Sequence, residues 1–121
     1  MTFDLQVVTQ GSTSVVTISG DVDVYTAPRF EECLQGLIAD GKTNIAVDLE
    51  NCTYFDSEGI KALIKAVRKR NGEPSLTVVG ARGIVLRVFE ITGLKALLKM
   101  LPSIKDLPMT LFALLLLRQP S

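Results

Sequence analysis

The fold is decided by the stretch from residue 44 to residue 67, which reads NIAVDLENCTYFDSEGIKALIKAV. Its first part, Asn44–Leu49, alternates between apolar and polar residues and predicts a buried strand. Residues 50–57 are expected to form a loop that carries a small polar cluster to the start of a helix. That helix is predicted from one apolar stripe at helical spacing, formed by Ile60, Leu63, Ile64 and Val67.

Towards the N-terminus, the sequence predicts a β-hairpin. Apolar and polar residues alternate in Phe3–Thr9, and Val15–Ser19 is rich in β-branched residues. Residues 11–12 (Gly-Ser) supply the turn between the two strands. Gly20–Tyr25, which holds Asp21 and Asp23, is expected to be a polar connection that leads out of the second strand.

A helix is predicted to follow that connection. Thr26 is suited to its N-terminus, and Pro28 lies in the first turn, where a missing N–H does no harm. Gly41 is expected to end the helix. Its apolar residues recur at one face, namely Phe30, Cys33, Leu34, Leu37 and Ile38.

Towards the C-terminus, strands and helices continue to alternate. Leu76–Val79 predicts a strand, Ala81–Ile91 predicts a helix that ends at Gly93, and Leu97–Leu101 predicts a short last strand. A final helix is expected to open at Pro102. The order ββαβαβα(β)α predicts a single α/β domain with a mixed sheet of four to five strands and about four helices.

Composition excludes several classes of function. The 121 residues include no His, and Lys plus Arg equals Asp plus Glu at 13 each, so the net charge is zero. Catalysis by a Ser-His or Cys-His pair and binding of nucleic acid by bulk charge are therefore not expected. Cys33 and Cys52 do not make a four-ligand zinc site, and we expect two reduced thiols, no metal and no cofactor.

The neutral total hides an asymmetry along the chain. Residues 1–60 carry ten acids and two bases, a net charge of −8, whereas residues 61–121 carry three acids and eleven bases, a net charge of +8. If the two halves occupy different parts of the surface, a partner meets a dipolar molecule. If the halves interleave, the surface charge averages out, and the sequence leaves both arrangements open.

The residues Asp56-Ser57-Glu58-Gly59 are the strongest candidate for a functional site. Ser and Asp are common N-caps, so the first two residues also fit a purely structural role at or beside the cap. Gly59 is harder to explain, because glycine in a first helical turn weakens the helix. A hydroxyl at the start of a helix is also accessible to a kinase.

Four segments together resemble the anti-sigma factor antagonists of bacteria, which are single STAS domains. They are the DSEG motif at residues 56–59 after Asp48-Leu49, Gly20-Asp21-Val22-Asp23 with Thr26-Ala27, the ITGL motif at residues 91–94, and the LPSI motif at residues 101–104. The likeness covers about residues 3–107. It implies a STAS domain at 1–107. Residues 108–121 form an apolar C-terminal tail outside the likeness, and we expect this tail to be an extra helix.

The resemblance implies a regulatory role without catalytic activity. In that family the unphosphorylated domain binds an anti-sigma factor that is also a serine kinase, which releases the sigma factor, and a serine phosphatase resets the cycle. Ser57 would be the phospho-acceptor of a cytoplasmic protein with no direct contact to nucleic acid. The partner-binding residues implied are Asp21, Asp23, Thr26, Asp56, Ser57, Glu58 and Gly59.

Two features depart from the family pattern. Glu58 stands where the family has a small residue, and a carboxylate there bears on which kinase accepts the site. Met109–Leu117 is apolar almost throughout but is too short to span a bilayer. This tail either folds back over one face of the sheet or forms a contact with a partner, such as a homodimer interface.

Other classes fit the sequence less well. A receiver domain needs acidic residues after its first strand, whereas Asp21 and Asp23 follow the second. A small enzyme that uses the carboxylates near Ser57 to bind Mg²⁺ lacks a phosphate-binding glycine loop and a base. The main alternative is a STAS scaffold that does not switch, in a stress-signalling assembly or a membrane lipid-transport complex.

Overall fold

A computed structural model describes residues 3–68, 75–109, 113 and 116, and it contains one sheet with helices between its strands. The strands and helices are β1 (Asp4–Gln10), β2 (Thr13–Val22), α1 (Ala27–Ala39), β3 (Asn44–Phe55), α2 (Ser57–Val67), β4 (Ser75–Val79), α3 (Gly83–Thr92) and β5 (Lys99–Leu101). Short 3-10 turns cover Leu94–Ala96 and Ile104–Asp106. The predicted α/β class and element order are confirmed, with three α-helices among the described residues instead of about four.

The five strands lie side by side in the order in which they occur in the chain. β1 and β2 form the antiparallel hairpin, and the pairs β2–β3, β3–β4 and β4–β5 are parallel. The strands of the acidic first half therefore occupy one side of the sheet, and β4 and β5 of the basic second half occupy the other. The two halves do not interleave within the sheet, so the strand order separates them in space.

All three helices pack on one face of the sheet. One buried cluster joins them to the strands, with Phe30 from α1, Leu63 from α2, Phe89 from α3 and Val47 from β3 among its fully buried members. The opposite face carries a smaller buried cluster formed by Val15, Ala46, Val79 and Leu107. Because β2, β3 and β4 run parallel and each leads into a helix, the starts of α1, α2 and α3 lie at the same edge of the sheet.

Two predicted connections are strand instead. β3 continues through residues 50–55, which were expected to be loop, and β2 continues through Val22. The two strands pair with each other along this extension, with Gly20 opposite Cys52 and Val22 opposite Phe55. The register shifts between Thr17 and Ser19 and again between Gly20 and Asp21. Because of these irregularities and the polar side chains, the extension lacks the regular alternation of apolar and polar residues from which a strand is predicted.

Three further details differ from the prediction. The last strand is shorter than expected and begins at Lys99. The final helix is a single 3-10 turn, in which the Ser103 hydroxyl accepts a hydrogen bond from the backbone N–H of Lys105 at 3.2 Å. The buried face of α2 is rotated relative to the predicted stripe, because Ala62 and Ala66 are buried whereas Ile64 is only half-buried.

The predicted helix over the tail 108–121 lies outside the described residues, apart from four positions. Among those four, the side chains of Met109 and Leu116 are 78% and 55% exposed. No helix within the described ranges is long and apolar enough to cross a membrane.

Candidate functional site

The turn between β2 and α1 is held together by Asp23 and Thr26. The Asp23 carboxylate accepts hydrogen bonds from the backbone N–H groups of Tyr25 and Thr26 at 2.9 and 3.0 Å. The Thr26 hydroxyl donates to the backbone carbonyl of Asp21 at 2.7 Å. With these groups paired inside the turn, the side chains of Val24 and Tyr25 are left exposed at its surface.

The hydrogen bonds of the turn also set the ionisation of Asp23. Desolvation acts to raise the pKa of its carboxyl group, but the bonds from Thr26 and Tyr25 together outweigh it. The pKa of Asp23 therefore lies below its ordinary value, and the group is a carboxylate at neutral pH.

The junction between β3 and α2 leaves the hydroxyl of Ser57 uncommitted. Asp56 is the N-cap, and its carboxylate accepts a hydrogen bond from the backbone N–H of Glu58 at 2.8 Å. Ser57 is the first residue of α2 and is exposed, and its hydroxyl makes no hydrogen bond among the described residues. Because Asp56 already caps the helix, the purely structural explanation applies to Asp56 and not to Ser57.

Two hydrogen bonds bring the junctions together across the sheet edge. The backbone N–H of Asp56 donates to the carbonyl of Val22 at 3.0 Å. The hydroxyl of Thr53 donates to the carboxylate of Asp21 at 2.7 Å. The two junctions that carry the predicted site residues therefore lie side by side, and of these residues only Gly59 is buried. The sequence reasoning missed Thr53 because it assigned this residue to a loop. The direction of a side chain cannot be predicted from a loop assignment.

Glu58 is paired with a residue of its own helix. Its carboxylate lies 3.0 Å from the ammonium group of Lys61, and both side chains are largely exposed. Glu58 also lines a groove between α1 and α2, together with Glu31, Glu32 and the backbone near Pro28. Its charge is thus part of an acidic face on the α1 side of Ser57.

Gly59 serves the packing of α2 on the core. A Cβ atom at this position would lie 2.7 and 2.8 Å from two ring atoms of Phe55 and 2.9 Å from a methyl group of Val22. The ring of Phe55 is itself buried between Phe30 and Phe89, with ring centres 5.9 and 5.4 Å away. The close approach of the protein's own core therefore explains the glycine in the first turn of α2.

A second groove lies on the other side of Ser57, between α2 and α3. Its volume is about 370 Å³, and its walls include Tyr54, Ser57, Ile60, Ile84 and Val88. The sequence reasoning missed this groove because it depends on how α3 is placed beside α2. Val88 is half-buried and contacts the core as well as the groove. The available signal was the apolar spacing of Ile84, Val88 and Ile91 at i, i+4 and i+7.

The thiols show no sign of chemistry. Cys52 is buried, its Sγ donates a hydrogen bond to the carbonyl of Tyr54 at 3.2 Å, and burial raises its pKa to about 11. Burial also raises the pKa of Cys33. Within the ranges that the structure describes, no three His, Cys, Asp or Glu side chains are grouped to hold a metal ion.

Comparison with known proteins agrees with this architecture. The family model described as "Mlab, STAS domain" matches residues 5–102. The chain belongs to the STAS domain family. This STAS domain is 36% identical over 99 residues to an anti-sigma-B factor antagonist of Staphylococcus aureus, a match that covers 81% of this chain and 92% of the relative.

Solved structures give the same picture. An anti-sigma factor antagonist from Mycobacterium paratuberculosis superposes on this STAS domain with a TM-score of 0.79 at 30% identity, over 93% of this chain and 94% of that one. The Bacillus cell fate determinant SpoIIAA, solved in its phosphorylated form, superposes with a TM-score of 0.61 at 21% identity, over 82% of this chain and 90% of its own. The second likeness is one of fold alone.

Proposed function

We propose that this STAS domain is an anti-sigma factor antagonist whose binding is controlled by phosphorylation of Ser57. The observation that carries the proposal is the state of that residue, which is exposed at the start of α2 with its hydroxyl unbonded while Asp56 caps the helix. The names of the bacterial relatives support the role as antagonist. The unphosphorylated domain binds an anti-sigma factor that is also a serine kinase, and a serine phosphatase resets it.

Phosphorylation acts on the interface and leaves the fold intact. A phosphate adds nearly two negative charges at the N-terminus of α2, where the helix dipole and free backbone N–H groups favour an anion. The carboxylates of Asp56 and Glu58 adjoin it, and Asp21 lies across the sheet edge. A partner that docks on this surface against an acidic group of its own then meets like charges, which costs on the order of several kcal/mol.

The remaining parts of the proposal concern the whole protein. The domain regulates transcription by protein binding in the cytoplasm, without catalysis and without direct contact to nucleic acid. The tail from residue 108 either covers the sheet face that carries Val15 and Ala46 or pairs two copies of the chain. A variant that ends at Leu107 separates the two roles, because loss of stability with unchanged oligomeric state supports the intramolecular one, and loss of a dimer supports the other.

The experiment that tests the switch is intact-mass spectrometry after incubation with ATP and each anti-sigma factor kinase encoded in the source genome. Ser57→Ala is run beside the wild type, and Ser12→Ala, an exposed serine in the β1–β2 turn at the opposite end of the sheet, is the matched control. One added phosphate on the wild type and on Ser12→Ala, absent from Ser57→Ala, supports the proposal. Phosphate on Ser57→Ala contradicts the assignment of Ser57.

A second candidate function is a STAS scaffold that binds its partner constitutively, in a stress-signalling assembly or a membrane lipid-transport complex. The observation that favours it is Glu58, which adds a carboxylate beside the acceptor in the unmodified protein. Detectable binding without phosphorylation by any of the kinases supports this alternative. In that case, phosphorylation of Glu58→Ala by one of them identifies Glu58 as the reason.

A further inference from the structure

Four of the nine large hydrophobic residues that are exposed in the described chain lie at one edge of the sheet. Val24 and Tyr25 at the β2–α1 turn, Tyr54 at the end of β3, and Ile84 at the start of α3 are all at least two-fifths exposed. They belong to the edge of the sheet where the helices begin. Ile84 and Tyr54 also form walls of the groove that contains Ser57. Apolar exposure next to a polar modification site is the pattern expected of a protein interface.

On the α3 side, Ile84 and Val88 line this groove, and they belong to an apolar stripe that Ile91 extends beyond the lining. Ile84, Val88 and Ile91 follow one another at i, i+4 and i+7, and Ile84 and Ile91 are 60% and 75% exposed. The two ends of the stripe are about 10 Å apart, at 1.5 Å per residue. Val85 and Phe89 on the same helix are buried in the core, and Val88 packs against it. The two ends of the stripe, Ile84 and Ile91, are exposed and are not part of the buried core.

The two sides of Ser57 differ in chemistry. On the α1 side, the groove carries three carboxylates, of which Glu58 and Glu31 are paired with lysines of α2 and Glu32 has no ion pair among the described residues. On the α3 side, the groove is lined mainly by apolar side chains, with Asp56 as its one charged wall. A protein that covers Ser57 therefore finds apolar contacts in the groove beside the hydroxyl, in addition to Val24 and Tyr25 at the β2–α1 turn.

The size of an interface links the stripe to the phosphorylation site. A stable partner covers about 800 Å² of each protein, a patch with a radius of about 16 Å. A kinase that modifies Ser57 must cover its hydroxyl. A patch of that size centred on Ser57 includes the groove between α2 and α3 that Ser57 lines. We propose that the anti-sigma factor docks on the groove between α2 and α3 and buries the stripe Ile84–Val88–Ile91 under an apolar element of its own. This inference rests on the proposed function.

Two substitutions test the stripe without touching the core. Ile84→Gln and Ile91→Gln, combined, remove its most exposed apolar groups and keep helix propensity. The matched control is Leu97→Gln, which changes a hydrophobic residue of similar exposure, 54%, that lines a separate cavity beside Ser75 and Lys99. Urea denaturation checks that all three proteins are folded.

The measurement is the Kd for the purified anti-sigma factor that phosphorylates the wild type, with the KM and kcat for phosphorylation of Ser57. The expected result is a Kd and a KM at least tenfold higher for the double variant, with kcat and the Leu97→Gln control unchanged. Equal Kd values for wild type and double variant, with Ser57 phosphorylated in both, overturn the inference and leave the proposed function standing.

Two other outcomes also overturn the inference. If the wild type is a dimer in solution and the double variant a monomer, the stripe is occupied by a second copy of this chain. If no anti-sigma factor binds or phosphorylates the wild type, the inference fails together with the proposed function.

Discussion

Replacing Gly59 with alanine tests how tightly the start of α2 is fitted to the core. The added Cβ atom would lie 2.7 Å from the nearest ring atom of Phe55, whereas carbon atoms in contact prefer at least about 3.5 Å. The ring would have to move by about 0.8 Å, and Phe30 and Phe89 pack against it. Overpacking of this kind costs about 1–3 kcal/mol.

The gain in helix propensity acts in the opposite direction. Glycine to alanine inside a helix stabilises by about 1 kcal/mol, so Gly59→Ala is expected to lose about 1 kcal/mol overall. Gly36→Ala is the matched control, because Gly36 is an exposed residue of α1 with no atom within 4 Å of the added methyl group. The propensity gain is common to both variants, so their difference isolates the packing cost of about 1–3 kcal/mol.

Urea denaturation followed by circular dichroism measures this difference. Since the slope for a small domain is about 1–3 kcal/mol per molar urea, the midpoints of the two variants are expected to differ by about 1 M. Wild type should lie between them. The reasoning is wrong if Gly59→Ala is as stable as Gly36→Ala, because the core would then have room for the methyl group.

Three further substitutions have definite expectations. Asp56→Ala should lower the free energy of unfolding by about 1 kcal/mol through loss of the cap to the Glu58 N–H, whereas Asp56→Asn should keep most of it; thermal unfolding distinguishes them. The stability of wild type should fall between about pH 9 and pH 11. The pKa of Cys52 is raised to about 11 in the folded protein, so its thiol ionises at lower pH in the unfolded chain than in the folded one. The urea midpoint of Cys52→Ala should therefore fall less steeply over that range. Gly80→Ala should lower the free energy of unfolding by more than about 1 kcal/mol, because φ is +76° and the new methyl group meets the side chain of Glu50. In a Glu50→Ala background, the loss of stability caused by Gly80→Ala should be smaller but still measurable. If Gly80→Ala costs no stability in that background, backbone strain at residue 80 is absent.

The order of elements was predictable because the core helices and strands have regular apolar spacing. Phe30, Leu34, Leu37 and Ile38 recur at one face of α1 and are buried as expected. Gly93 was predicted to end α3, and it does so with φ at +74°, a conformation that glycine adopts readily. Apolar spacing and helix-terminating glycines can be read from one segment alone, without knowing which strand or helix packs against it.

The extension of β2 and β3 could not be predicted in the same way. Glu50 and Asn51 are of residue types that are depleted in strands, and the extension forms where β2 provides a partner, with Ser19 opposite Asn51. The groove beside Ser57 was also out of reach, since it depends on how α3 is placed next to α2. The candidate serine was found from its position after a strand, but its free hydroxyl depends on Asp56 being the cap.

The hydrogen bond between Thr53 and Asp21 joins two segments that are 32 positions apart in the chain. The surface around Ser57 therefore exists only in the folded domain, as a conformational epitope. A synthetic peptide of residues 50–67 carries the serine and both flanking carboxylates but neither Asp21 nor the groove wall from α3. An enzyme that recognises this surface distinguishes folded chains from nascent or damaged ones, unlike a kinase that reads a linear motif. Under the proposed function, a phosphate on Ser57 would also report that the domain has completed its fold.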